Sequence, residues 1–156
     1  AKPVIKKEFS RIMILKDGLK KMSKSELSDL SRINLTDDKD QIINKIKKAK
    51  TDPLPMPSTL EELNKRPEAK NLIGIYSSLK DISIEKIINE FSGKNFSEFK
   101  EYLSQAIIEK IEPISLEIKK LTSEKKYIDE ILLEGCNRAN DIASKKIKKI
   151  HEIVGF

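Results

Sequence analysis

Two hydrophobic rhythms divide this chain. Near the start, Ile12, Met13, Ile14 and Leu15 form an unbroken apolar run behind Arg11, rich in β-branched residues and of strand length, which predicts a buried strand over residues 11–15. Lys16, Asp17 and Gly18 would turn the chain after it. Beyond Leu35 the spacing changes to three and four. Thr36 or Asp37 can cap a helix through Ala49 that sets Ile42, Ile43, Ile46 and Ala49 on one face and leaves Lys45, Lys47, Lys48 and Lys50 mostly outside it. Pro53, Pro55 and Pro57 each fix their own φ and bar the preceding residue from helical geometry. Residues 51–58 are therefore a stiff extended connector and the best candidate for a domain boundary.

Residues 61–64 suit a short turn, and Pro67 suits the first position of a helix, where its missing N–H is harmless. That helix carries Leu72, Ile75, Tyr76 and Leu79. Ser83 caps a short amphipathic helix with Ile84, Ile87, Ile88 and Phe91, and Gly93 provides a left-handed stop. From Ser97 a long helix carries Phe99, Tyr102, Leu103, Ala106 and Ile107, then Ile111, Ile114, Ile118 and Leu121 past Pro113. That proline loses one hydrogen bond and crowds the carbonyl of Glu109 at about 3 kcal/mol, which predicts a kink near Glu109 rather than two unrelated helices. The last stripe runs from Tyr127, Ile128, Ile131 and Leu132 to Ile142, Ala143, Ile147, Ile150 and Val154. Gly135 within it either breaks the helix or permits close packing. All these stripes read as core seams of a helical bundle.

Composition narrows the partners. A chain of 156 residues with 38% hydrophobic residues can bury one modest core, and 36% charged residues keep its exterior solvated. The net charge of +6 favours polyanions, RNA foremost, although so small an excess does not prove it. The runs Lys145-Lys146 and Lys148-Lys149 read either as solvated faces or as contacts to a phosphate backbone. No stretch has the length of a membrane span, and the start lacks the apolar core of a signal peptide. Cys136 is alone, so no disulfide or cysteine metal site can form within the chain. It reads as a small core residue in a cytoplasmic protein. His151 reads as a helix-surface residue whose partial charge suits a helix C-terminus.

The most informative segment is Lys20-Lys21-Met22-Ser23-Lys24-Ser25. Two spaced ammonium groups with hydroxyls between them suit a polyphosphate, and a mobile basic loop can follow a leaving pyrophosphate. In an open α/β sheet, lysines beyond the carboxyl end of a strand lie where ligands bind. Residues 21–25 match the second signature motif of class I aminoacyl-tRNA synthetases without a mismatch, for which chance odds in so lysine-rich a chain are about one in a thousand. Context narrows the match: Arg11-Ile12-Met13 precedes it, and Ile33, Leu35, Thr36 and Asp37 follow. Next come Lys45-Ile46-Lys47, Ala49, Thr51-Asp52, then Asn71-Leu72 and Ile75-Tyr76-Ser77. Glu134-Gly135, Arg138-Ala139, Ile142-Ala143 and the terminal Gly155-Phe156 complete the series. Over nearly its whole length the chain resembles the C-terminal half of bacterial-type tryptophanyl-tRNA synthetases. Glu26 departs from the family's usual Asp but keeps the charge.

The resemblance implies a mainly α fold. Residues 1–35 would be the C-terminal remnant of a Rossmann-like class I catalytic domain, and residues 36–156 a helical bundle of the anticodon-binding type. It implies part of a tryptophan–tRNA ligase, which activates tryptophan with ATP to the adenylate and transfers it to its tRNA. Lys21 and Lys24 would be catalytic, stabilising charge that builds on the departing phosphates, while Met22 secures the loop and Ser23 and Ser25 donate to phosphate. Ile12 would line the adenine site. Magnesium would accompany ATP, no carboxylate being an evident ligand, and one cysteine cannot hold the iron–sulfur cluster of some relatives. The anticodon-reading residues are not legible, and the choice of tryptophan over tyrosine rests on resemblance alone. The complete enzyme would be a homodimer.

The first signature motif and the indole pocket are missing, and Ala1 stands where an initiator methionine would be, so the sequence is expected to begin inside a nucleotide-binding domain and to be inactive alone. The strand at residues 11–15, having lost its sheet neighbours, would be mobile or borrow pairing from another copy. The alternative is a stand-alone helical module, derived from a synthetase, that binds RNA or a protein partner without catalysis.

Overall fold

In the computed structural model, which describes residues 11–155, the described residues open on an antiparallel hairpin of β1 (Met13–Ile14) and β2 (Asp17–Lys21). The first ten residues of the expected 1–35 segment, and Phe156, lie outside the described residues. The expected strand is shorter than residues 11–15, and the turn comes one step early, at Leu15 and Lys16. Asp17 and Gly18 belong to β2. So do Lys20 and Lys21, which places the first lysine of the motif on a strand and begins the open loop at Met22.

The hairpin has found partners within its own chain. Asn71, on helix α3 (Pro67–Lys80), accepts from the Met13 amide at 2.9 Å and donates to the Met13 carbonyl at 3.0 Å, replacing a neighbouring strand with one carboxamide. Leu15 donates to the Ser31 carbonyl at 2.8 Å, and its own carbonyl accepts from the Lys50 amide at 2.7 Å. The expectation of a mobile or borrowed strand therefore gives way to one satisfied internally, as buried backbone groups require. Gly18 explains how α3 comes so close. A Cβ there would lie 2.4 Å from the carbonyl carbon of Pro67 and 2.5 Å from the amide of Glu68. This glycine serves close approach rather than a turn.

A 3₁₀ turn (Asp29–Ser31) leads to α1 (Lys39–Lys47). Asp38, one residue beyond the expected caps, accepts from the Gln41 amide while the Gln41 side chain accepts from the Asp38 amide, a reciprocal capping box. Lys45 does not lie outside the apolar face, as its spacing predicts. Its side chain is 3% exposed, and its ammonium lies 2.7 Å from both Asp29 and Asp37. Apolar spacing alone does not register an acid arriving from a neighbouring loop. Removing Asp37, the buried one of the two acids, would leave the Lys45 charge short of its buried partner, at about 3–5 kcal/mol.

The proline-rich connector is packed. Met56 is 2% exposed and is hydrogen-bonded through its amide to the Lys94 carbonyl at 2.8 Å. Arg66 holds Asp52 with two nitrogens at 2.6 and 2.8 Å, donates to the Pro55 carbonyl, and lies over the Phe96 ring. The segment after it forms α2 (Leu60–Asn64), capped by Thr59, then α3, with Pro67 in its first turn. Ser83 caps α4 (Ile84–Phe91), and Gly93 takes a φ of 72° after it. Edge-to-face contacts among Tyr76, Phe91, Phe99 and Tyr102, at 5.1–6.1 Å, join α3 and α4 to α5 (Phe96–Ser123).

Described residues up to Ser115 form one compact unit, and a second runs from Leu116. The long helix α5 continues through Pro113 as one element, as its stripe implied. The second unit consists of its distal end and α6 (Lys125–Val154). Gly135 does not break α6, and a Cβ added there would meet nothing within 4 Å, so it does not serve close packing either. The stripe of α6 is not a buried seam: Ile131, Ile142 and Ile150 are each at least half exposed, and Cys136 is exposed as well rather than a core residue. A pair of helices offers each only one partner, too little to enclose a stripe. No described helix is long and apolar enough to cross a membrane.

Gly18→Ala should destabilise the protein by about 2 kcal/mol or more, because the methyl group meets backbone that cannot rotate away. A lower midpoint in urea, with an unchanged m-value, is the expected measurement.

Candidate functional site

The loop after β2 is anchored at both ends and open in the middle. At its entrance the Met22 amide donates to the Ile12 carbonyl at 2.9 Å, extending the hairpin by one bond, and the Met22 side chain packs partly buried against the core. Ile12 thus meets the loop through its backbone, while its side chain is 46% exposed. At the tip, the Ser23 and Ser25 hydroxyls are 2.8 Å apart, and the Ser25 amide donates to Ser23 Oγ at 3.3 Å. Such a serine turn gives the tip a shape without using up the lysines.

Cations on this hairpin fall into two groups. Lys20 is paired with Glu26 across the loop, and that hydrogen bond raises its pKa above the ordinary lysine value. Lys21 and Lys24 are exposed and take part in no ion pair among the described residues. Two ammonium groups in no ion pair among the described residues therefore stand at the end of a short hairpin, with the Ser23 hydroxyl between them and that of Ser25 just beyond. The sequence-predicted residues Lys21, Met22, Ser23, Lys24 and Ser25 are together by contiguity, and Ile12 is brought to them by the strand pairing. No group of acids, histidines or cysteines suited to a metal occurs among the described residues.

The exit of the loop is held from below. Arg32 Nη1 donates to the Glu26 carbonyl at 2.7 Å, and its other terminal nitrogen lies 3.3 Å from Asp29. Asp29 reaches Lys45 on α1, and Asn34 also donates to Asp29 at 2.9 Å. The hydrogen bond from Lys45, then that from Asn34, hold the Asp29 carboxyl below its ordinary pKa.

A second feature had no signal in the sequence. Between α1 and α5 lies a cleft of about 450 Å³, walled by Ile43, Phe96 and Ile108 and edged by Lys47, Ser97, Glu101 and Gln105. Lys100, also in its wall, donates to the Lys47 and Ala49 carbonyls at 3.3 and 2.7 Å and so caps the end of α1. Burial pushes its pKa down. Lys47 is the exposed cation of this cleft. Its lining comes from positions nearly fifty residues apart, which periodicity along one helix cannot connect.

Comparison with known proteins decides the lineage. The family described as tRNA synthetases class I (W and Y) matches residues 3–112. The chain belongs to this family. It is 47% identical over 154 residues to the tryptophan–tRNA ligase of Mesorhizobium japonicum, a match covering 99% of this chain and 43% of that protein. It is 48% identical to the tryptophan–tRNA ligase of Agrobacterium fabrum, over 99% of this chain and 44% of the relative. That of Rickettsia felis is also 48% identical, over 98% and 46%. A crystal structure of tryptophanyl-tRNA synthetase from Mycoplasma pneumoniae shares the fold, with a TM-score of 0.64 at 24% identity over 97% of this chain and 47% of that one. The chain thus spans a little under half the length of these class I synthetases.

Because the Asp29 carboxyl is held below its usual value, the folded state binds its proton more weakly than the unfolded state does. The contribution of Asp29 to stability should be fully present above pH 3.8, the ordinary value, and lost only as pH falls through the lower folded value. Amide exchange at Glu26, whose N–H donates to the Ser23 carbonyl at 3.4 Å, should accordingly keep its protection down to about pH 4 in wild type. In Asp29→Asn that protection should be reduced above that pH and should converge on wild type once the pH falls below the lowered folded value.

Proposed function

We propose that this chain supplies the phosphate-gripping loop and the RNA-facing helical part of a tryptophan–tRNA ligase. Residues 1–35 would close the nucleotide-binding part and residues 36–156 would serve the tRNA. The observation that carries the reading is the pair of exposed lysines, Lys21 and Lys24, in no ion pair among the described residues and held on an anchored hairpin within a chain whose relatives are named tryptophan–tRNA ligases.

Attack of the tryptophan carboxylate on the α-phosphate of ATP moves negative charge onto the departing β- and γ-phosphates. Ammonium groups aimed at that charge lower the barrier by whatever they gain beyond the ground state. At about 4 Å and an effective dielectric near 20, one such pair is worth about 4 kcal/mol before desolvation. Ser23 and Ser25 can turn their hydroxyls from each other to phosphate oxygens. Ile12 meets the adenine side of the nucleotide, and magnesium enters with ATP as part of the substrate. The complete enzyme works in the cytoplasm as a homodimer.

The cleft between α1 and α5 is the site on this part best suited to an RNA base. It pairs apolar walls with groups that donate and accept hydrogen bonds, and Lys47 stands beside it for a phosphate. A charge term of this kind acts on affinity regardless of base sequence.

In the complete enzyme, formed with the amino-terminal half that its relatives carry, Lys24→Ala should lower ATP–pyrophosphate exchange by about two to three orders of magnitude. An unchanged rate would remove the role given to the loop. Restored exchange on adding that half to the wild-type chain supports the ligase reading, whereas tRNA binding without exchange would leave a binding module. For the cleft, Lys47→Ala should weaken tRNA binding and reduce the slope of log affinity against log salt by about one.

A further inference from the structure

The exit of the phosphate loop is tied to the first helix by a continuous chain of charged contacts. Lys45 is buried in α1 and bound to Asp37 and Asp29, each at 2.7 Å. Asp29 is more than half exposed, so it adds little to the core, yet it spans from the Lys45 ammonium to Arg32 at 3.3 Å. Arg32 in turn donates through Nη1 to the Glu26 carbonyl at 2.7 Å and through Nε to Asn34 at 3.2 Å. Glu26 immediately follows the loop, and its side chain accepts from Lys20 on β2. Both ends of the loop therefore converge on one residue, whose carbonyl is fixed by Arg32 and whose carboxylate is fixed by Lys20.

We propose that Asp29 and Arg32 are positioning residues for the phosphate loop, transmitting to its exit the placement of α1 through the buried ammonium of Lys45. This rests on the reading of the loop as a polyphosphate grip. Neither residue touches substrate. Their effect is to narrow the range of positions open to Lys24, two residues before Glu26, so that its ammonium meets the departing phosphates without a search. Displacement of a catalytic group by about 1 Å can cost up to about a hundredfold in rate. A link between the RNA-serving part and the phosphate grip also gives tRNA contacts near α1 a route to the loop.

The test uses the complete enzyme with Asp29→Ala, Arg32→Ala and Lys24→Ala, singly and combined. Each of the first two should lower kcat for pyrophosphate exchange about tenfold, with thermal midpoint and tRNA affinity close to wild type. In the Lys24→Ala background they should cost nothing further, because the group they position is gone, whereas general structural damage would multiply onto that loss. Full multiplication, or wild-type kcat in both single variants while Lys24→Ala is impaired, overturns the proposal. A Lys24→Ala enzyme of wild-type rate would instead overturn the polyphosphate reading beneath it.

Discussion

A hairpin of two short strands has more backbone donors and acceptors than it can satisfy, and the way this one disposes of the surplus organises the protein. Met13 is claimed by the Asn71 carboxamide, and Leu15 by Ser31 on one side and Lys50 on the other. Each bond reaches a different element: α3, the 3₁₀ turn, and the segment after α1. One strand residue and the first residue of the turn thus serve as a junction for the elements that follow. Without those bonds the polar backbone of Leu15, which is buried, would be stranded among apolar side chains.

Much of the helical part was legible because its signals are local. Pro67 at a helix start, Ser83 as a cap and Gly93 as a left-handed stop each act within a turn of where they stand, and each is found there. The persistence of α5 through Pro113 followed from an apolar stripe on both sides of it. The misses have the opposite character. Lys45 looks like its lysine neighbours in sequence and differs only because Asp29 and Asp37 arrive from a loop. Gly18 looks like a turn glycine until Pro67 is placed beside it, and Asn71 looks like one polar residue in a helix. The left-handed Asp81, with φ of 55°, ends α3 where glycine or asparagine is the usual sign.

For the candidate site the division is similar. Contiguous residues 21–25 were readable as one chemical unit because a loop tip needs nothing from afar to present its lysines. What the sequence could not convey is which cations are already engaged. Lys20, Lys21 and Lys24 are alike on paper, yet Lys20 is held by Glu26, whereas the other two have no ion-pair partner among the described residues. The cleft edged by Lys47 and Gln105 escaped notice for the reason that hid Lys45: it exists only once α1 and α5 are laid together.

The missing side chain at Gly18 has a mechanical meaning. With bare backbone facing bare backbone at the start of α3, there is no rotamer in the gap to take up a displacement. β2 is therefore seated directly on the first turn of that helix. Lys21, where the basic tip begins, closes the same short strand three residues on, so the tip starts from backbone footed on a helix.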